Sequence, residues 1–277
     1  MIGNRLMGKV VIVAGASSGI GRVTARRLAE EGATLVLASP AKEADALARV
    51  VGEVKEQGGV AIAIPFDATD ESSSRALVET TKQGFGGIDA IHANFADLGI
   101  IFQDTDAITV SDEVLERTLD VNLKGMLRLT RYGVPALLER GGGSIIYTSS
   151  ISSISGEAVR PCYAMAKAGL NALVRHVASR WGKQGIRANA ILPGFVLTEE
   201  NRARVPSDFL ARTLEETRST RLGDPADIAA MVAFCSPRMK ALGSTGRRSR
   251  SMAGRQCDEA SVLGTSMMIG GVRPRAF

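Results

Sequence analysis

Tyr163 and Lys167 stand four residues apart in Tyr-Ala-Met-Ala-Lys. On an α-helix that spacing puts a phenol and an ammonium on one face. A neighbouring cation favours phenolate and draws a group with an ordinary pKa of about 10 toward neutral pH, which suits proton transfer at a carbonyl oxygen. Alone, such a pair is commonplace on helix surfaces. A second signal lies near the start of the chain, where Val10-Val-Ile-Val-Ala runs into Gly15-Ala-Ser-Ser-Gly19-Ile-Gly21 and then a helical stretch. Glycines there permit a tight turn and let an anion reach the N–H groups of a helix N-terminus. The turn therefore predicts a dinucleotide site at Gly15, Ser17, Ser18, Gly19, Ile20 and Gly21; the competing reading is a plain strand-to-helix turn.

The tip of the second strand distinguishes the two nicotinamide cofactors, because a carboxylate there holds ribose hydroxyls and repels a further phosphate. Here the strand ends in Ser39-Pro40-Ala41-Lys42, with no acid at the tip. Ser39, Lys42 and Arg22 are candidates for a 2′-phosphate, which favours NADP(H) over NAD(H). Lys42 reads equally well as a solvated residue at a helix start. His92 and His176 have no partners at metal-ligand spacing, so both read as structural and no metal site is expected.

The elements that would position these groups follow from periodicity. Short apolar runs at 10–14, 34–38, 60–64, 88–93, 144–148 and 187–192 alternate with helical patterns at 20–31, 43–57, 71–83, 111–138 and 163–183. Continuous apolar strands alternating with helices predict an α/β fold: a single doubly wound parallel sheet with helices on both faces. Ligands then bind at the carboxyl ends of the strands. Residues 195–220 read as a lid and 97–107 as a second pocket-lining loop. Asp224 and Pro225 mark a further helix start, as N-cap and first helical residue.

With the glycine turn and Tyr163…Lys167 in order, the chain resembles the short-chain dehydrogenase/reductase family over residues 7–234. Ser150 in Thr148-Ser-Ser lies 13 residues before Tyr163, and Asn122 lies in Leu-Asp-Val-Asn-Leu; both match family positions. The resemblance implies a catalytic set of Asn122, Ser150, Tyr163 and Lys167. Hydride would pass between nicotinamide C4 and a carbonyl or alcohol carbon, with Tyr163 as acid/base and Lys167 lowering its pKa while holding the ribose. Ser150 would bind the substrate oxygen, and Asn122 a relay water. It also implies cofactor contacts at Asp67, Ala68, Asn94, Tyr163, Lys167, Pro193, Gly194, Val196 and Thr198, and a homodimer or homotetramer. Two departures stand out: Ala14 replaces the family's Thr, and Phe95-Ala96 are bulkier than its usual residues beside the cofactor. Ser149, Ser152, Ser153 and Ser155 read as turn residues, and Cys162 as packing, or a modification site if exposed.

At 277 residues, 45% hydrophobic and 23% charged, the composition is that of an ordinary globular protein. The net charge of +5 invites a nucleic-acid or membrane reading. Its placement argues otherwise: residues 235–277 hold eight of the 34 bases but two of the 29 acids, leaving 26 and 27 in residues 1–234. The basic run lacks interleaved aromatics, so no nucleic-acid partner is expected. No stretch nears the ~20 apolar residues that span a bilayer, no signal core precedes the first strand, and three scattered cysteines fit a reducing setting. A cytoplasmic enzyme acting on a small carbonyl or alcohol is the expectation, with no membrane partner.

Two parts are expected: a dinucleotide-binding and catalytic domain over 1–234 and an atypical tail over 235–277. Beyond Cys235 the periodicity collapses, and no convincing strand follows. Read one base earlier, the tail's codons can spell the family's usual ending, so the tail reads as a one-base frameshift. A missing last strand leaves the sheet edge unpaired and puts the oligomer in doubt. The alternative function is a dinucleotide-binding protein with impaired or no turnover.

Overall fold

The computed structural model describes residues 4–202, 204–217, 219–236 and, as backbone, 267–269. The apolar runs form β1 (Val10–Ala14), β2 (Thr34–Ser39), β3 (Val60–Pro65), β4 (Ala90–Ala93), β5 (Gly143–Thr148) and β6 (Ile186–Pro193), and β7 is Met267–Ile269. They make one parallel sheet in the order β3-β2-β1-β4-β5-β6-β7. The winding reverses between β1 and β4, the topological switch point at which ligands bind in such sheets.

The connections carry α1 (Gly19–Glu30), α2 (Ala44–Glu56), α3 (Glu71–Phe85), α4 (Asp112–Leu119), α5 (Gly125–Glu139) and α6 (Pro161–Trp181). After β6 come α7 (Glu199–Arg202), α8 (Ser207–Glu216) and α9 (Pro225–Cys235). Side chains alternate across the pleat. Ile12 joins Ile91 and Ile145 in a core with Leu77, Leu129 and Val174 from α3, α5 and α6. Val11 and Val13 join the opposite core, with Leu28, Val50 and Val232 from α1, α2 and α9. Both faces of the central strands β1, β2, β4 and β5 are thus dry, in keeping with their uninterrupted apolar runs, while the edge strand β3 is partly exposed.

Caps set the helix ends. Asp70 accepts from Ser72 N to start α3, and Gly86 in the left-handed region ends it. Asp224 caps α9 and Pro225 lies in its first turn, as the sequence predicts, and Asp227 completes a reciprocal capping box. The single helix expected over 111–138 instead contains a π-turn, Asp120–Lys124, between α4 and α5. The extra residue turns Asn122 into the protein; such bulges recur at functional sites.

The expectation of no strand beyond residue 234 is corrected. Met267–Ile269 pair in parallel with Ile191, Leu192 and Pro193, an apolar triplet that supplies hydrogen-bonding groups to the end of an otherwise open edge. Residues 237–266, which carry most of the proposed frameshifted segment, lie outside the described residues. Among the described residues no helix is long and apolar enough to cross a membrane.

Tyr147 in β5 is fully buried, and its hydroxyl meets Thr130 Oγ1 of α5 at 2.7 Å. Thr130 donates in turn to Met126 O, so the phenol supplies the proton of the shared bond. Tyr147→Phe should cost about 1 kcal/mol, roughly 2 °C in melting midpoint for a chain of this size, read by thermal denaturation.

Candidate active site

Tyr163 and Lys167 occupy the first turns of α6, which begins with Pro161 at its N-terminus. The phenol is half-buried. The turn is held from outside the helix: Cys162 N and Tyr163 N donate to the buried Asp104 carboxylate at 3.2 and 2.8 Å. A carboxylate on two otherwise unpaired N–H groups is a strong N-terminal cap, here delivered from the 97–107 loop. Cys162 is wholly buried, and burial with the Asp104 contact pushes its thiol up to about 11. It is packing, not an exposed modification site.

Lys167 is 1% exposed. Burial brings its ammonium down to about 8. One of its three donors reaches Thr148 O at 2.8 Å, tying α6 to the end of β5, and Nζ lies 5.6 Å from the centre of the Tyr163 ring. Burial raises the Tyr163 phenol above its ordinary value; the Ser150 hydroxyl and Arg160 pull it down, and Glu157 pushes it up. The net direction is upward, opposite to the lowering expected from Lys167.

Ser150 follows β5 and caps the short 3₁₀ turn Ile151–Ser153, its Oγ accepting from Ser152 N at 3.2 Å. Asn122 is fully buried; its Oδ1 accepts from Asp97 N at 2.8 Å, and its Nδ2 has no partner among the described residues. An unpaired buried donor is a place where water can bind. Ser153 and Ser155 bond to backbone carbonyls three and four residues back as turn residues do, whereas the buried Ser149 hydroxyl donates to Lys167 O of α6 at 3.3 Å. Ser152 differs, because its hydroxyl donates to Glu157.

At the β1 tip, Gly15 has φ +87°, and a Cβ there would lie 2.8 Å from Phe95 N; one on Gly21 would lie 1.8 Å from Gly15 O. Only glycine fits either place. Asn94 Nδ2 donates to Gly15 O at 3.0 Å, and its Oδ1 accepts from Thr148 Oγ1 at 2.9 Å. The N–H of Gly19 points at Glu200 Oε1, 3.3 Å away. Phe95 turns into the core, edge-on to Phe66 at 5.2 Å, so its bulk lies away from the loop's outer face.

The groups expected to receive a 2′-phosphate are differently employed. Ser39 is 1% exposed, and its Oγ accepts from Ala16 N and Ser17 N at 3.1 Å each. Arg22 pairs with Glu53 and Glu199 at 2.7 and 3.2 Å. Lys42 is exposed on the turn after β2. The residue beside it, Glu43, instead receives the Ser17 hydroxyl at 2.5 Å. An acid thus faces the glycine loop, 22 residues after Gly21, a spacing that carries this signal although the strand tip itself has none.

Asp67 accepts from Thr69 N and Oγ1, and these bonds hold its carboxyl below the usual range. Ala68 packs under Gly125 of α5. Pro193 ends β6, Gly194 follows, Val196 bridges to Gly223, and Thr198 packs over Gly19. The lid expected over 195–220 holds α7 and α8, with Phe209 edge-on to Phe195 at 5.5 Å. Sequence reasoning missed Asp104, Glu43 and Glu157. Asp104 acts on residues 58 and 59 positions away, for which no local pattern exists.

Residues 15–246 match the family model described as enoyl-(acyl carrier protein) reductase, which runs past residue 234. The chain is 32% identical over 231 residues to 7α-hydroxysteroid dehydrogenase of Clostridium sardiniense, covering 83% of this chain and 87% of that one. It is also 32% identical to cyclohexanol dehydrogenase of an Acinetobacter species, covering 84% and 90%. A solved 7α-hydroxysteroid dehydrogenase, complexed with NADH and 7-oxoglycochenodeoxycholic acid, superposes with TM-score 0.78 at 31% identity, covering 84% and 89%.

Behind the site, His92 is fully buried, with Nε2 on Thr148 Oγ1 at 3.0 Å, and burial drops its imidazole to about 3. A group neutral when folded binds its proton only on unfolding. Stability is therefore present above the unfolded value near 6.5 and lost as pH falls toward about 3. Denaturant titrations should show that loss below about pH 6.5, at up to about 1.4 kcal/mol per pH unit, and His92→Phe should remove this contribution.

Proposed function

Because the chain belongs to the short-chain dehydrogenase/reductase family, an NAD(P)-dependent oxidoreductase acting on CH–OH groups, we propose that Tyr163 is its acid/base and Lys167, Ser150 and Asn122 its supporting set. The observation that carries this reading is the Tyr163–Lys167 pair on one helix, with the buried ammonium anchored to the end of β5. A bound nicotinamide supplies or accepts the hydride. The residues present fit such a dinucleotide: a glycine cradle that a Cβ would fill, and a helix N-terminus behind it.

In reduction, the Tyr163 hydroxyl donates its proton to the substrate oxygen; in oxidation, the phenolate takes the proton from the alcohol. Lys167 keeps two donors beyond Thr148 O, enough to hold ribose hydroxyls while its charge favours phenolate. Ser150 hydrogen-bonds the substrate oxygen. Asn122, through its unpaired Nδ2, holds a water from which the phenol is recharged.

The arrangement at the second strand supports NAD(H) rather than NADP(H). Glu43, at 2.5 Å from Ser17, would accept ribose hydroxyls and repel a 2′-phosphate, while Ser39 and Arg22 are engaged elsewhere. Exposed Leu98 and Phe102 in the 97–107 loop and Phe209 in the lid favour an apolar substrate skeleton. With relatives that act on a hydroxysteroid and on cyclohexanol, the substrate class is an alicyclic secondary alcohol or its ketone.

Two measurements test this. Tyr163→Phe should cut turnover of cyclohexanone with NADH by about 10²–10⁴-fold and leave NADH binding intact by fluorescence titration. Unchanged turnover overturns the assignment. Glu43→Gln should shift the ratio of NADPH to NADH affinity by about tenfold toward NADPH, roughly 1.4 kcal/mol; wild-type preference for NADPH overturns the cofactor reading.

A further inference from the structure

We propose that the lid carries its own competitor for the dinucleotide: the Glu200 carboxylate sits on the Gly19 N–H that the glycine turn offers to a pyrophosphate, so the two exclude one another there. This rests on the dinucleotide reading above and adds to it a residue, marked by no motif, that sets how tightly the site binds.

A helix N-terminus draws anions because its first N–H groups are unpaired and its dipole is positive there. α1 meets that need with none of its own side chains. Its N-cap, Ser18, makes no side-chain cap bond, and its first turn holds no acid. The anion comes instead from 181 positions along the chain: Gly19 N, the first N–H of the helix, donates to Glu200 Oε1 at 3.3 Å. The second carboxylate oxygen lies over the same residue, 3.7 Å from where a Cβ on Gly19 would stand, beside Thr198 Cγ2 at 3.3 Å. The lid therefore closes on the turn at the spot where the missing side chain leaves room for a phosphate.

The lid is built to hold the carboxylate there. Thr198 Oγ1 accepts from Asn201 N at 3.2 Å and Thr198 O accepts from Arg202 N at 3.0 Å, which winds α7 around Glu200. Arg22 Nη1 of α1 holds the neighbouring Glu199 at 3.2 Å, a second tie between the lid and the helix. The net direction for the Glu200 carboxyl is downward: burial raises it, while its own backbone, the Thr198 hydroxyl, the Gly19 N–H and the Arg22 charge lower it. It is therefore an anion at neutral pH. A pyrophosphate is an anion too and seeks the same N–H. To take it, the dinucleotide must displace Glu200, and part of its binding free energy goes into moving α7. Adenosine has no phosphate and meets no such competition.

Isothermal titration calorimetry on the full chain separates these cases. ADP-ribose carries the pyrophosphate without the nicotinamide, and adenosine carries neither. Glu200→Gln and Glu200→Ala should each tighten ADP-ribose binding about threefold to tenfold, the scale of one charge at a helix N-terminus, and leave adenosine binding unchanged. Glu199→Gln removes the same charge from the next residue without freeing the N–H, and should change ADP-ribose binding less than about twofold. Thermal melts confirm that the variants are folded, and Glu200 is exposed on a short helix, so both substitutions are surface changes. Unchanged or weaker ADP-ribose binding in the Glu200 variants, or an equal gain in Glu199→Gln, overturns the proposal and leaves the dinucleotide reading standing. If wild type and Glu200→Ala alike bind neither ADP-ribose nor NADH, that reading fails and the proposal with it.

Discussion

A buried ammonium holds the chemistry of this protein to its scaffold. Lys167 reaches from the second turn of α6 to the carbonyl of Thr148 at the end of β5, and that carbonyl belongs to the strand that leads into Ser150. The helix bearing the phenol and the strand leading to the serine are therefore registered by one charge-assisted bond, in a place where water does not compete. Burying the ammonium is costly and lowers its proton affinity. The cation is retained because the site needs a donor of that reach.

Around this bond the polar network is continuous. Thr148 offers its carbonyl to Lys167, and its hydroxyl joins His92 to Asn94; Asn94 holds Gly15 O in the glycine turn after β1. The tips of β1, β4 and β5 are thus linked side chain to side chain as well as through the sheet ladder. A shift in one would be felt by the others, because a buried network with one member displaced leaves several groups unsatisfied. Asp104 does the same from the opposite side, fixing where α6 begins.

What was legible in the sequence was what local chemistry dictates. The apolar runs of β1, β2 and β5, the glycines that no side chain can replace, the Tyr163–Lys167 spacing and the Asp224–Pro225 helix start all follow from short stretches of chain. The strand at 88–93 and the long helix at 111–138 were each one element in pattern, but the first is shorter and the second is broken by a π-turn, which hydrophobic periodicity does not register. Asp104 and Glu157 escaped because their roles exist only once distant segments meet, or once a loop has folded back on itself. Glu43 is legible in principle, because its spacing from the glycine turn carries the signal, although it lies beyond the strand tip where the acid is usually sought.

The packing of α9 against α1 bears on how the molecule is made. The buried face of α1, with Ala25 and Leu28, shares its core with Ile228 and Val232 of α9, some two hundred residues later in the chain. During vectorial synthesis the glycine turn and its helix emerge first, yet the part of their apolar face that packs on α9 stays wet until that helix follows. Contacts of such long sequence separation are slow to form, and exposed apolar surface on nascent chains invites association. The glycine turn and its helix are therefore among the first parts of the molecule to be made and among the last to be sealed.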